Sequence, residues 1–172
     1  NLIGRMADGR ILPYHRRADI QKGALRDAAP VLVWVDDAID AFLLHVQGSG
    51  RVVLEDGAVM RVGYAGNNGH GYVSIGRVLI DQGELPSGRA GWRQIRDWIT
   101  RNPSKAETLL ARNPRYIFFR EISGDGPIGA QGVALTPRRS LAVDRKFIPL
   151  GLPIWLDTVW PGQEERPLRR VM

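Results

Sequence analysis

The sequence predicts a mainly β fold with several short helices, in which β segments at both ends enclose a helical middle. Three observations carry this. Asp56-Gly57 stands between two apolar runs, the sign of a β-hairpin. Residues 74–113 hold three helical stripes in succession. From Ser123 onward a glycine-rich stretch gives way to short apolar runs bounded by Pro and Gly. With 172 residues, 44% of them apolar, the chain suits one domain or two small ones and buries enough surface to fold unstapled.

Taken in order, residues 1–14 are short and hold one Pro. Arg17 to Leu25 reads as a short helix ended between Asp27 and Pro30. Val31 to Val35 is a continuous apolar run and reads as a buried strand. Asp36-Asp37 then caps a short helix with Ile39, Phe42 and Leu43 on one side. Arg51–Glu55 and Ala58–Val62 flank Asp56-Gly57, which predicts a two-residue turn with positive φ.

Ser74 caps a helix carrying Ile75, Val78 and Leu79, with Gly83 past its end. The next helix has Trp92, Ile95, Trp98 and Ile99 along one face. A third begins at Pro103 or Ser104, where Ser104 and Glu107 fit a capping box. Leu109 and Leu110 face inward, and Asn113-Pro114 stops it. These stripes read as core. Tyr116–Phe119 reads as a strand, Ser123–Gly132 as a loop or domain crossover, and Leu141–Val143 and Pro153–Leu156 as strands.

Composition excludes several chemistries. There is no cysteine, so thiolate zinc sites, thiol nucleophiles and disulfides are out. His15, His45 and His70 have no metal-ligand spacing, so no metal site is expected. Ser49 lacks the first Gly of a nucleophile elbow, since Gln47 stands there. No apolar run reaches the ~20 residues of a transmembrane segment. The net charge is +6, and Lys22, Lys105 and Lys146 are the only lysines. That charge fits attraction to a polyanion and equally fits arginine-rich coding. Nucleic acid is excluded because no basic run stands out and Trp34, Trp98 and Trp155 sit in apolar contexts.

Two glycine-rich loops remain, at residues 46–50 and 64–72. The second joins amide, imidazole and phenol groups, which suits the hydroxyl edges and C–H faces of a sugar. It equally suits a connector whose Asn and Gly satisfy turn angles. Asp144 follows Leu141–Val143 at an expected strand end. Partial burial there would raise its pKa toward general-acid use, and a structural Asp bonding loop N–H groups is the other reading.

Read together, these segments resemble the family of membrane-bound lytic murein transglycosylases A, the MltA family. The resemblance rests on Arg17-Ala18-Asp19-Ile20, Gln47-Gly48-Ser49-Gly50, Tyr64 to His70 with Tyr72, Ser74 to Arg77, Asn113-Pro114, and Leu141 to Arg145 with Ile148 to Gly151. It implies a double-psi β-barrel, incomplete in this chain, with a smaller β-rich domain inserted. Residues 1–14 would be the barrel's N-terminal part, 15–123 the insert, and 124–172 the start of the returning barrel and its three-aspartate module.

The resemblance also implies cleavage of the β-1,4 bond between N-acetylmuramic acid and N-acetylglucosamine. A 1,6-anhydro ring forms, a single Asp acts as acid and base, and no cofactor enters. The implied partner is the peptidoglycan glycan strand. The implied place is the periplasmic side of the outer membrane, with a lipid anchor on the longer protein and oligomeric state open. Gln47, Gly48, Ser49, Gly50, Tyr64, Asn68, His70 and Tyr72 are the implied substrate contacts, and Gln47→Ala or Asn68→Ala is expected to spare the fold. Arg77 and Arg145 are either structural or meet peptide carboxylates. The family's acid/base Asp follows an Asp-x-Gly-Gly motif absent from this sequence. No catalytic residue is therefore assigned, Asp144 is at most a supporting carboxylate, and the chain is expected to be an inactive internal piece. The alternative is a non-catalytic glycan-binding module.

Overall fold

A computed structural model describes residues 3–25, 28–124 and 126–172. It divides into two compact units, Asn1–Ser123 and Gly124–Met172.

The first unit opens with a hairpin that local reading left without elements. Strands β1 (Gly4–Ala7) and β2 (Arg10–Pro13) pair antiparallel, with Ala7 opposite Arg10. Asp8 and Gly9 between them both have positive φ, 51° and 71°. Such a two-residue turn matches the twist of the flanking strands. Helix α1 (Arg17–Gln21) is shorter than expected, and Asp27, where the expected stop at Asp27 to Pro30 begins, lies outside the described residues.

Val31–Val35 does not form a strand. It is irregular and largely exposed, with Trp34 at 85%. A continuous apolar run carries no periodicity to distinguish a core strand from a surface segment, and no strand pairs with it among the described residues. Helix α2 (Ala38–Gln47) follows as Asp37 dictates: its carboxylate accepts from the Ile39 and Asp40 amides.

Strands β3 (Ser49–Val53) and β4 (Val59–Asn67) form the expected hairpin. Its turn differs in kind. The Gly57 amide donates to Leu54 O and the Leu54 amide to Ala58 O, and only Gly57 of the central residues has positive φ, 82°. This is a three-residue type I turn closed by a glycine bulge. A side-chain bond explains the choice, because Asp56 Oδ1 accepts from the Ala58 amide. Strand β5 (Ile117–Glu121) adds to β4 as the third strand, with a bulge at Tyr64/Gly66.

Helices α3 (Ile75–Asp81), α4 (Trp92–Arg101) and α5 (Pro103–Ala111) pack their stripes together as the spacing predicts. Ile75, Leu79, Ile95, Trp98, Ile99, Leu109 and Leu110, with Phe42 from α2, make the core. The capping box at Ser104 does not form. Pro103 occupies the first helical position, where its missing N–H costs nothing, so Asn102 becomes the cap residue and Ser104 lies inside the helix.

In the second unit, β6 (Trp155–Trp160) and β7 (Gln163–Val171) form a hairpin. Leu141–Val143 is not a strand, because turns at Thr136–Ser140 and Asp144–Ile148 leave it three residues and no strand partner. Trp155 is 64% exposed. Of the three tryptophans expected in apolar surroundings only Trp98 is buried, so the case against nucleic acid keeps only its charge-pattern half. The described strands make open sheets of two, three and two strands and no closed barrel.

Candidate functional site

The Gln47–Gly50 segment is shaped by two glycines. Gly48 takes the left-handed conformation at the end of α2, with φ 76°, and its amide donates to Leu44 O. That reverses the chain into β3. A Cβ on Gly50 would lie 2.5 Å from Leu44 Cδ1, so the missing side chain leaves room for the Leu44 side chain against the strand. Gln47 and Ser49 are left exposed on either side of the turn.

They face an open cleft of about 1010 Å³ in the first unit. Its walls are the segment Trp34–Asp36, the Asp40, Leu43, Leu44 and Gln47 side of α2, and β3 with its turn as far as Asp56. One rim is therefore an exposed indole, and the rest mixes amide, hydroxyl and carboxylate groups with leucines. Asp40 is tethered, since Arg96 from α4 binds both it and Asp37, the latter at 3.1 Å. Trp34 is the residue that local reading missed as a site residue, because the apolar run around it pointed to a core strand.

Tyr64, Asn68, His70 and Tyr72 do not line this cleft. Asn68 is wholly buried. Its Nδ2 donates to His15 O at 2.9 Å and Pro114 O at 2.8 Å, and its Oδ1 accepts from the Tyr116 amide at 2.8 Å. Both Asn68 side-chain polar atoms thus bond backbone, from two segments, at His15 and at Pro114–Tyr116. His70 is half-buried, with Nε2 2.8 Å from Tyr14 O. A carbonyl can only accept, so Nε2 carries a hydrogen there. Asn67 Nδ2 donates to Tyr64 Oη at 2.6 Å, and its Oδ1 accepts from the Gly69 amide. Tyr64 and Tyr72 keep exposed surface, at 39% and 52%.

Beneath the loop lies Arg17, almost fully buried and without a carboxylate partner among the described residues. It donates to Asn113 O and Arg115 O and lies over the Phe42 and Tyr116 rings. Burial lowers its pKa to about 10. His45 from α2 packs between Tyr116 and Phe119, and its Nδ1 accepts from the Ile117 amide at 3.0 Å. Burial first, and nearby Arg17 second, lower its pKa to about 3. Both serve the fold.

Asp144 is exposed, which leaves out the partly buried general-acid reading and matches the structural one. With no strand before it, it becomes a turn residue whose Oδ1 accepts from the Lys146 amide. Arg77 pairs with Asp81 on an exposed face of α3, and Arg145 is exposed. No group of three His, Asp or Glu side chains able to hold a metal occurs among the described residues.

The model of the MltA specific insert domain matches residues 1–120. The chain belongs to the MltA family. It is 34% identical over 165 residues to membrane-bound lytic murein transglycosylase A of Vibrio cholerae, covering 91% of this chain and 45% of that protein. A crystal structure of MltA from Neisseria gonorrhoeae superposes with a TM-score of 0.85 at 41% identity, over 98% of this chain and 44% of that one. Escherichia coli MltA with bound chitohexaose does so at 0.80 and 35%, over 99% of this chain and 52% of that one. The chain thus spans about half the length of these relatives. Within the MltA family frame, the Gln47–Gly50 turn and the Tyr64–Tyr72 loop play unlike parts. The turn is open to a cleft, and the loop's Asn68 is folded inward.

Proposed function

We propose that this chain is part of a membrane-associated lytic murein transglycosylase. It would cleave the β-1,4 bond between N-acetylmuramic acid and N-acetylglucosamine and leave a 1,6-anhydro ring. The observation that carries this reading is the match of nearly the whole chain to a relative that holds a six-sugar glycan. The chemistry needs one carboxyl group. An Asp protonates the glycosidic oxygen as the bond breaks. The substrate's own 6-hydroxyl attacks the anomeric carbon, and the same Asp takes its proton. Ordinary glycosidases need a second carboxylate to activate water or act as nucleophile, and here the 6-hydroxyl takes that place.

The exposed turn residue Asp144 is not given this role, and the acid/base Asp is assigned to a segment outside the 172 residues. In this reading 15–123 is the inserted domain, 1–14 the chain's entry from a barrel, and 124–172 the start of its return. The contact division at Ser123 supports the last boundary. Gln47 and Ser49 would bond sugar hydroxyls along the cleft, with Trp34 as an apolar platform. Tyr64, His70 and Tyr72 would contribute a second stretch of groove wall. No cofactor is involved. The relatives' names support attachment to a membrane, the periplasmic side of the outer membrane is part of the proposal, and no helix among the described residues is long and apolar enough to cross a membrane.

Purified murein sacculi incubated with the chain, and in parallel with a form extended to the relatives' length, test this. The extended form should release anhydromuropeptides, read by mass spectrometry, while the 172-residue chain binds sacculi and releases none. Reducing-end products from the extended form, or anhydro products from the chain alone, contradict the proposal.

A further inference from the structure

We infer that Arg138, Arg166 and Arg170, gathered around the ring of Trp160, form a separate binding site for the carboxylates of murein peptide stems. The inference rests on the proposed function for the identity of the ligand, and on the second unit's geometry for the site.

The three guanidinium carbons lie 5.6, 5.0 and 5.6 Å from the Trp160 ring centroid. No two of them can be farther apart than twice the longest of these distances, which is comparable to the Debye length of about 10 Å in dilute salt. Three like charges held that close repel one another unless an anion joins them. None of the three pairs with a carboxylate among the described residues. Arg166 Nη1 reaches only Gln163 Oε1, at 3.4 Å, and Arg170 Nη1 only the Arg138 carbonyl, at 3.4 Å.

Strand alternation explains the segregation. Arg170 lies opposite Leu156 and Leu168 opposite Thr158, while Asp157 lies opposite Arg169. The hairpin's ion pair, Asp157–Arg169 at 3.0 Å, is therefore on the other face from Arg170. Two further features point the same way. Arg170 Nε is buried and has no hydrogen-bond acceptor among the described residues. Arg138 sits at φ 65°, a conformation that non-glycine residues avoid.

Covering the indole is a lesser explanation, because one stacked arginine would do that. A guanidinium lying on a ring keeps its edge N–H donors free, and those donors match a carboxylate in a two-point contact. A ligand with several carboxylates on a short flexible chain fits three such edges better than a neutral sugar does. Murein stems have that chemistry.

The test follows the Trp160 indole N–H resonance of the full chain while the free tripeptide L-Ala-γ-D-Glu-meso-diaminopimelate is added. The resonance should shift saturably, and added salt should weaken the binding. Arg166→Gln, at an exposed position, should raise Kd about tenfold, whereas Arg139→Gln, one residue from the cluster, should leave it unchanged. Chitohexaose, which has no carboxylate, should bind wild type and Arg166→Gln alike. No shift of the Trp160 signal, or equal loss in both variants, overturns the proposal. So does Arg166-dependent binding of an oligonucleotide or of phosphatidylglycerol vesicles that is tighter than that of the peptide. Because the peptide carries no glycan, peptide binding without anhydro products from the extended form would sink the proposed activity and leave the site standing. The reverse result would sink the site alone.

Discussion

Asn68 shows why one residue's local context and its role can diverge. In sequence it stands in a glycine-rich loop and suits either a sugar contact or a turn. Its three side-chain partners lie 46, 48 and 53 residues away, beyond the reach of any local pattern. Removing the amide would strand the His15 carbonyl and the Tyr116 N–H, while Pro114 O keeps the Arg17 amide, and an unsatisfied buried group costs more than its bond gains. Asn68→Ala should therefore destabilise the chain by about 2–3 kcal/mol and lower Tm by roughly 5–15 °C, reversing the sequence-based expectation. A melting curve within about 2 °C of wild type would refute the clasp. Gln47, by contrast, was readable as a surface residue, because the glycine after it forces the helix to stop and leaves its side chain outside.

Between elements, His45 ties helix α2 to strand β5, since its Nδ1 lone pair receives the Ile117 amide. Protonation would place a second hydrogen against that amide and a charge among aromatic rings. The folded pKa is about 3 against the ordinary 6.5, so between those values the unfolded chain binds the extra proton. Stability is therefore full above pH 6.5 and falls as pH drops toward 3, by up to ~1.4 kcal/mol per unit. Thermal melts of wild type and His45→Gln from pH 7 to 4 check this, because Gln can still accept from the amide but does not titrate. Parallel slopes would remove His45 as the cause.

The elements themselves were unevenly legible. Asp37, Ser74 and Pro103 mark helix starts by mechanisms confined to one turn, and they read correctly or within a residue. The two Asp-Gly turns did not read alike. Asp56-Gly57 was found through its apolar flanks but took the bulged form, since its Asp bonds forward to Ala58. Asp8-Gly9 has the two positive φ angles expected at the other site, yet exposed flanking strands gave no apolar alternation to reveal it. Val31–Val35 and Leu141–Val143 failed for the opposite reason, as apolar runs with no strand to pair with among the described residues.

For the molecule as a whole, the described residues place every fully buried apolar side chain between Ile20 and Ile117. The second unit has none, and it exposes Phe147, Leu152 and Trp155. A two-stranded hairpin with turns around it is marginal without such a core, so local opening should concentrate there. Limited trypsin digestion should cut first after Arg139, Arg145 or Lys146 and accumulate a fragment ending between Ser123 and Lys146. Loss of the entire chain in one step, with no such fragment, would show that the two units open together. The first unit was well anticipated in outline because its helices carry their own periodic signal. The second was not, since short apolar runs among glycines fit many chain paths.

The contact between Gly50 and Leu44 has a consequence for how the cleft can change. The atom that a methyl group at 50 would meet is Cδ1, the far end of the Leu44 side chain, and no backbone atom lies within reach. A small residue at 50 would therefore be absorbed by a new Leu44 rotamer while helix and strand keep their places. Because Leu44 also lines the cleft, ligand preference in proteins built this way has two routes to change, the Trp34 rim and the 44/50 pair.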